Sequence, residues 1–395
     1  MKIPFRLKDI VSSRGLATIY LVTMCTQFVA IEGYAISPLK VSLMAFAVVL
    51  LLAKVPYMTK ATLWCSIYML MVLLCSYMQD YVRFSTLGYL GMFLITYIVF
   101  YNLLYKKHAF SLMYFIQLLR FMVLAYFFCL LAQQVCVLVG IHNMPFINLQ
   151  NQYYLAISKL PTWTLEPSHT ARVLGVCYYA YLMCCEIVEG HRLSLKRIFD
   201  PFHRWITIGY LYTMTTMGSG TAFLMLIIQA FYFVQAKHLW YVAPMFFILY
   251  FVLPLLHIKQ FDRVINVINA TLTLDIDVVR ETDASASSRI IPILNTLNMD
   301  LDSKETWFGK GTHSKKEMHN IYLQSQGKMG NIDQYGLLCF LFSWVLLLVC
   351  CFRAKSLAML MVILGVGGGV ANIAYCWGCL MLFTSIRYFQ DRYEN

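Results

Sequence analysis

The sequence predicts an all-α, polytopic membrane protein with about twelve transmembrane helices and one large extramembrane loop containing short helices. Three observations carry this prediction. Of the 395 residues, 60% are hydrophobic and 13% charged, against about a quarter charged in an ordinary soluble domain. The mean hydropathy is +0.65. Apolar runs of about 20 residues recur along the whole chain, separated by short clusters of Lys and Arg. The net charge of +12 falls mainly in those clusters, where it reads as a determinant of topology, so no nucleic-acid partner is expected.

The apolar windows place spans near 16–31, 38–53, 61–79, 84–105, 110–140, 170–189, 204–217, 220–236, 239–257, 335–352, 356–370 and 372–386. The chain therefore divides into nine spans over 1–257, a large outer loop over 258–334, and three spans with a tail over 335–395. Lys2, Arg6, Lys8 and Arg14 resemble the charged region of a signal peptide, but no small-residue cleavage site follows, so the first helix is expected to be retained. With the N-terminus cytoplasmic, the inner connections collect Lys54 and Lys60, Lys106 and Lys107, and Arg192, Lys196, Arg197 and Arg204. Lys237, Arg353, Lys355, Arg387 and Arg392 also fall inside. The short outer connections hold little more than Arg83 and Lys159, as the excess of positive residues on the inner side requires.

This alternation puts both long connections, 141–169 and 258–334, outside. All thirteen cysteines lie in apolar runs, so no disulfide framework is implied, and Cys376 and Cys379 are expected to pack rather than bind metal. The chain lacks both the phosphate-loop and the dinucleotide glycine patterns, so function is expected at the outer face without a nucleotide.

Three sets of polar residues stand out. In the first, Thr164 to Arg172, an acid, a hydroxyl, an imidazole and a guanidinium meet at the mouth of the sixth span, with Ser168 as the expected N-cap after Pro167. The outward-facing helix start would welcome an anion. A capped helix with Arg172 snorkelling would account for the arginine but not for Glu166 beside it. In the second, Gly218-Ser219-Gly220-Thr221 forms a tight turn into the eighth span, where small residues let the backbone approach a ligand.

The third set is the large outer loop. It opens with an amphipathic stretch carrying Lys259 and Arg263, followed by Asp275, Asp277, Glu281 and Asp283, which lack a calcium-loop pattern and read as solvated charges. Next come Ser287-Ser288-Arg289, an apolar helical pattern at Ile290, Ile293, Leu294 and Leu297, and a turn at Trp307-Phe308-Gly309-Lys310-Gly311. His319-Asn320-Ile321-Tyr322-Leu323 then opens a short helix ending at Gly330. No Asp/Glu/His cluster with ligand spacing lies near these pieces, so neither a metal nor another cofactor is expected.

The order of these pieces resembles the bacterial O-antigen polymerase and O-antigen ligase superfamily. The matching segments are Glu166-Pro167-Ser168, Gly218-Ser219-Gly220-Thr221, Ser287-Ser288-Arg289, Phe308-Gly309-Lys310-Gly311, and His319-Asn320-Ile321-Tyr322-Leu323 with Gly330, covering roughly residues 160 to 345. The turn lacks the arginine that many relatives carry where Gly220 or Thr221 stands.

The resemblance implies a membrane glycosyltransferase of the lipid-donor (GT-C-like) type that polymerises undecaprenyl-diphosphate-linked oligosaccharides into surface polysaccharide, O-antigen or capsule. The Glu-Pro-Ser segment favours this reading over a ligase that transfers glycan to a lipid A core or protein. A flippase without a catalytic step is the alternative from another class. Localisation would be the bacterial inner membrane, with both termini cytoplasmic and the site periplasmic. The partners would be lipid-linked glycan donor and acceptor, membrane lipid, a chain-length regulator and a flippase.

The resemblance also implies roles for individual residues. Glu166 and His319 are alternative general bases, and Arg289 and Arg172 hold the leaving diphosphate. Lys310, Ser168, His169, Ser219, Gly220 and Asn320 would line the substrate site. Arg120, deep in the fifth span, is a lower-ranked candidate for the lipid phosphate path.

Overall fold

The computed structural model describes residues 12–27, 37–79, 81–141, 160–234, 266, 269–282, 284–311, 327–329, 332–353, 358–359, 363 and 374–393. Among these residues every regular element is a helix. In chain order they are α1 (Ser13–Cys25), α2 (Pro38–Ala53), α3 (Lys60–Tyr77), α4 (Phe84–Tyr105), α5 (Leu112–Leu138), α6 (Pro167–Glu189), α7 (Arg204–Thr216), α8 (Gly220–Ala230), α9 (Ile276–Thr282), α10 (Ala284–Leu297), α11 (Lys304–Phe308), α12 (Ile332–Cys350) and α13 (Ala374–Tyr393).

Five of them, α3, α4, α5, α6 and α12, are long and apolar enough to cross a membrane, which is compatible with a polytopic membrane protein. Where the sequence predicts about twelve spans, the remaining described helices are shorter or less apolar. α7 has 13 residues and α8 has 11, lengths of about 20 and 17 Å at 1.5 Å per residue, short of a hydrocarbon core of about 30 Å. The expected spans at 239–257 and, in most of its length, 356–370 lie outside the described residues.

Three helices, α4, α6 and α13, form the centre, and 16 of the 20 residues of α13 are buried. In α6 and α4, 78% and 72% of the apolar window is buried, against 33% in α3 and 39% in α5, so the latter two lie at the periphery. Aromatic rings tie these helices to their neighbours, with Trp377 of α13 stacked on Phe93 of α4 and Tyr178 of α6 stacked on Tyr210 of α7.

Contacts between helices define two ends of the bundle. α6 and α8 run in the same direction, since Met225 packs on Gly175 and the Tyr232 hydroxyl, just past α8, donates to Glu186 at 2.9 Å. α13 runs parallel to α6, because Tyr375 meets Arg172 at its start. α4 runs with α13, its Tyr97 bonding Thr384 at 2.7 Å and its Tyr105 approaching Asp391. The starts of α4, α6, α8 and α13 therefore share one end, the Arg172 end. The other, the Glu189 end, holds the connection from α6 to α7.

Two expected boundaries are corrected. α6 begins at Pro167 and its N-cap is Glu166, where the sequence predicts Ser168 in that role. Proline is preorganised for the first helical position, where its missing N–H goes unneeded. α13 continues to Tyr393 instead of ending near 386, because Arg387 pairs with Asp391 one turn on at 3.6 Å and bonds the Leu348 carbonyl at the end of α12 at 3.0 Å.

In the polar loop, the buried face of α10 is turned from the predicted one. Ser287, Ile291 and Leu294 are buried while Ile293 and Leu297 are exposed, because α10 packs against Ala270 and Val279 as a small separate core. Asp275 caps α9 by accepting from the Asp277 amide at 2.9 Å, and Asp277 pairs with Arg280 at 2.9 Å, so these acids serve the helix itself.

At the Glu189 end, His203 is buried. Its Nδ1 bonds the Tyr181 hydroxyl at 2.8 Å and its Nε2 lies 3.3 Å from Glu189, with Arg197 and Arg120 nearby. Burial pushes the imidazole below its ordinary value, and this outweighs the pull of Glu189. The unfolded chain therefore binds the proton more readily, so stability is highest above pH of about 6.5 and is lost as pH falls below it. The unfolding midpoint of the purified protein should drop between pH 7 and 5, and His203→Gln should flatten that slope.

Candidate functional site

The segment before α6 is locked by hydrogen bonds. Thr162 and Gln133 exchange two bonds, at 2.9 and 3.3 Å. The hydroxyls of Thr162 and Thr164 both meet Thr170 Oγ1, which donates to the Pro161 carbonyl at 2.5 Å. Trp163 Nε1 donates to the Ala125 carbonyl at 3.1 Å, and the Gln27 amide donates to the Trp163 carbonyl at 2.5 Å. This network ties the mouth of α6 to α5 and to the end of α1, so the side chains that follow are presented from a rigid base.

Glu166, His169 and Arg172 are spaced by three residues and share one face of the first two turns of α6. Glu166 is exposed, accepts from Ser168 Oγ at 3.1 Å and lies 3.8 Å from His169 Nε2. The His169 ring stacks on Tyr375 with centroids 4.2 Å apart. Arg172 is half-buried, its Nη1 donates to the Tyr375 hydroxyl, and its guanidinium carbon sits 5.6 Å from the Tyr375 ring centroid. Its Nε is buried and makes no hydrogen bond. Among the described residues no carboxylate pairs with Arg172, and a guanidinium whose donors are not all used can still bind an anion.

Tyr375 holds both His169 and Arg172 from α13, about 200 positions later in the chain. Sequence reasoning missed it, because nothing in the pattern separates it from the other 26 tyrosines. Lys40 was also unmarked. Its buried ammonium donates to the Thr26 carbonyl at 2.7 Å, where it caps the C-terminal end of α1, a structural use.

The other expected residues are distributed as follows. Ser219 caps α8 without a side-chain bond and is buried, Gly220 has open space where a side chain would stand, and both lie at the Arg172 end. Lys310 pairs with Glu305 at 3.4 Å, both exposed, and its amide donates to the Asp333 carbonyl at 2.7 Å.

The glycines around Lys310 have a packing role. Gly309 and Gly336, with φ of +83° and +85°, cross so closely that a Cβ at Gly309 would stand 2.7 Å from the Gln334 carbonyl and one at Gly336 would overlap the Trp307 carbonyl. Gln79, at the end of α3, closes the knot by donating to the carbonyls of Phe308 at 2.5 Å and Gln334 at 2.7 Å. The knot lies at the Arg172 end, beside the connection that leads into α4.

Arg120 is not gathered with Arg172. It lies over the ring of Phe202, 4.5 Å from its centroid, near the Glu189 end. The side chain of Arg289 and the residues His319 and Asn320 lie outside the described set. Among the described residues no three His, Cys, Asp or Glu side chains converge as a metal site, and all thirteen cysteines are free and buried.

Compared with protein-family models, curated proteins and solved structures, the chain matches none.

Proposed function

We propose that the protein is a membrane glycosyltransferase that polymerises polyprenyl-diphosphate-linked oligosaccharide units, working at the periplasmic face of a bacterial inner membrane through about twelve spans. The observation that carries this reading is Arg172, whose Nη1 is fixed by Tyr375 while its buried Nε lacks a partner, beside Glu166 and His169 at the start of α6. An oligosaccharide diphosphate leaving group needs such a cation, and an acceptor hydroxyl needs a base within reach. Glu166, exposed and paired only loosely with His169, suits the base, with His319 the alternative from the outer loop. The acceptor oxygen bonds the anomeric carbon, the bond from that carbon to the diphosphate oxygen breaks, the proton passes to the base, and the polyprenyl diphosphate departs against Arg172, with Arg289 and Lys310 assisting.

Deleting the gene and examining the surface glycan tests the reading. A single repeat unit left on its carrier fits a polymerase. Complete polymer left on the carrier indicates a ligase, and absence of external glycan indicates a flippase.

Two further outcomes are expected. On a cysteine-free background, Ser303→Cys should react with a membrane-impermeant thiol reagent in cells whose inner membrane is intact. Labelling only after that membrane is opened would reverse the topology. With arginine, lysine and helix N-termini holding the diphosphate, polymer synthesis by purified enzyme should continue at close to its normal rate in excess EDTA. Activity that vanishes with EDTA and returns with magnesium would contradict this charge assignment.

A further inference from the structure

The connection between α6 and α7 carries a two-sided surface at the Glu189 end. Leu193, Ile198 and His203 turn inward and are buried, and Thr207 Oγ1 donates to the Ile198 carbonyl at 3.0 Å, which pins the segment to α7. The intervening side chains Leu195, Phe199, Phe202 and Trp205 point outward, with 60%, 47%, 52% and 61% of their surface exposed. Four exposed cations are interleaved with them: Arg192, Lys196, Arg197 and Arg204.

The acids account for only one of these cations. Arg197 pairs with Asp200 at 2.6 Å and with Glu189 at 3.3 Å. No ion pair engages Arg192, Lys196 or Arg204 among the described residues. Arg192 rests over the Tyr232 ring and Arg204 over Trp205, contacts that leave their N–H groups available. This surface lies beyond the far end of α6 from Arg172, and the stretch of helix from Arg172 to Glu189 spans about 26 Å at 1.5 Å per residue, close to a hydrocarbon core of about 30 Å. Exposed aromatics at that level match the headgroup boundary, and unneutralised cations beside them match anionic phosphates.

We propose that this face docks on the anionic phospholipid headgroups of the adjoining leaflet. Arg192, Lys196 and Arg204 engage the phosphates, while Leu195, Phe199, Phe202 and Trp205 enter the boundary with the acyl chains. The proposal is independent of the catalytic reading.

The test uses the full-length purified protein in neutral detergent, titrated separately with phosphatidylglycerol and phosphatidylcholine, with bound lipid counted by native mass spectrometry. Phosphatidylglycerol should bind at least about tenfold more tightly, because three cations without an ion pair among the described residues face its anionic headgroup. The triple variant Arg192→Gln/Lys196→Gln/Arg204→Gln should lose that preference, and Lys106→Gln/Lys107→Gln, also at the Glu189 end, should keep it. Equal binding of the two lipids, an unchanged triple variant, or equal loss in both variants would overturn the proposal. Should the triple variant not fold, salt decides on the wild-type protein. The preference should collapse at ~1 M NaCl, where charges are screened within about 3 Å, and a salt-independent preference would overturn the assignment.

Discussion

Gly336→Ala should destabilise the protein by about 2–5 kcal/mol, the largest loss expected from any single added methyl group here. Two costs combine. The backbone at Gly336 has a φ of +85°, where an L side chain is strained, and the new Cβ would overlap the Trp307 carbonyl, a backbone atom that cannot swing aside. Gly309→Ala meets the Gln334 carbonyl in the same crossing and should behave alike. Relieving either overlap would part α11 from the start of α12 and release the two bonds from Gln79. Gly88→Ala provides the contrast, since nothing lies within 4 Å of its would-be Cβ on α4 and alanine favours helix. Unfolding midpoints of the three variants in detergent check the ranking. A Gly336→Ala protein as stable as the wild type would show that the crossing is looser than described.

Arg172→Lys should reduce polymer formation about a hundredfold or more, nearly as far as Arg172→Ala. A lysine keeps the charge but cannot donate both to the Tyr375 hydroxyl and along the Nε direction that now lacks a partner. Tyr375→Phe separates holding from binding. It retains the stack on His169, removes the acceptor that fixes Arg172, and should cost about tenfold. Polymer made in complemented cells at matched membrane levels of each variant is the measurement. Lysine restoring full activity at position 172 would reduce the arginine to a structural charge.

Gln79 shows why part of the expected catalytic loop belongs to the fold. The Phe308-Gly309-Lys310-Gly311 turn was legible as a special segment, because glycines flanking a lysine are conspicuous in any sequence. Its packing partner was not legible, since Gln79 lies about 230 positions earlier and is an ordinary polar residue at the end of an apolar run. The same limit applied to α10, whose apolar pattern predicted a helix but whose buried face was set by Ala270 and Val279.

By itself the sequence determined that this chain is helical and compatible with a membrane. Burial of apolar side chains and internal satisfaction of backbone hydrogen bonds are local requirements, written in composition and run length. It also placed Glu166, Ser168, His169 and Arg172 together at the mouth of one span, because they are near neighbours in the chain, while the structure's start of α6 at Pro167 put Glu166, His169 and Arg172 on one face. Only the tertiary structure decided which cation keeps an unpaired donor among the described residues and which is already used. That depends on Tyr375 arriving from α13, on Lys40 being taken by the Thr26 carbonyl, and on Arg120 lying toward the Glu189 end over Phe202. Such pairings join residues from 14 to 203 positions apart, and helix packing, which no local pattern encodes, brings them together.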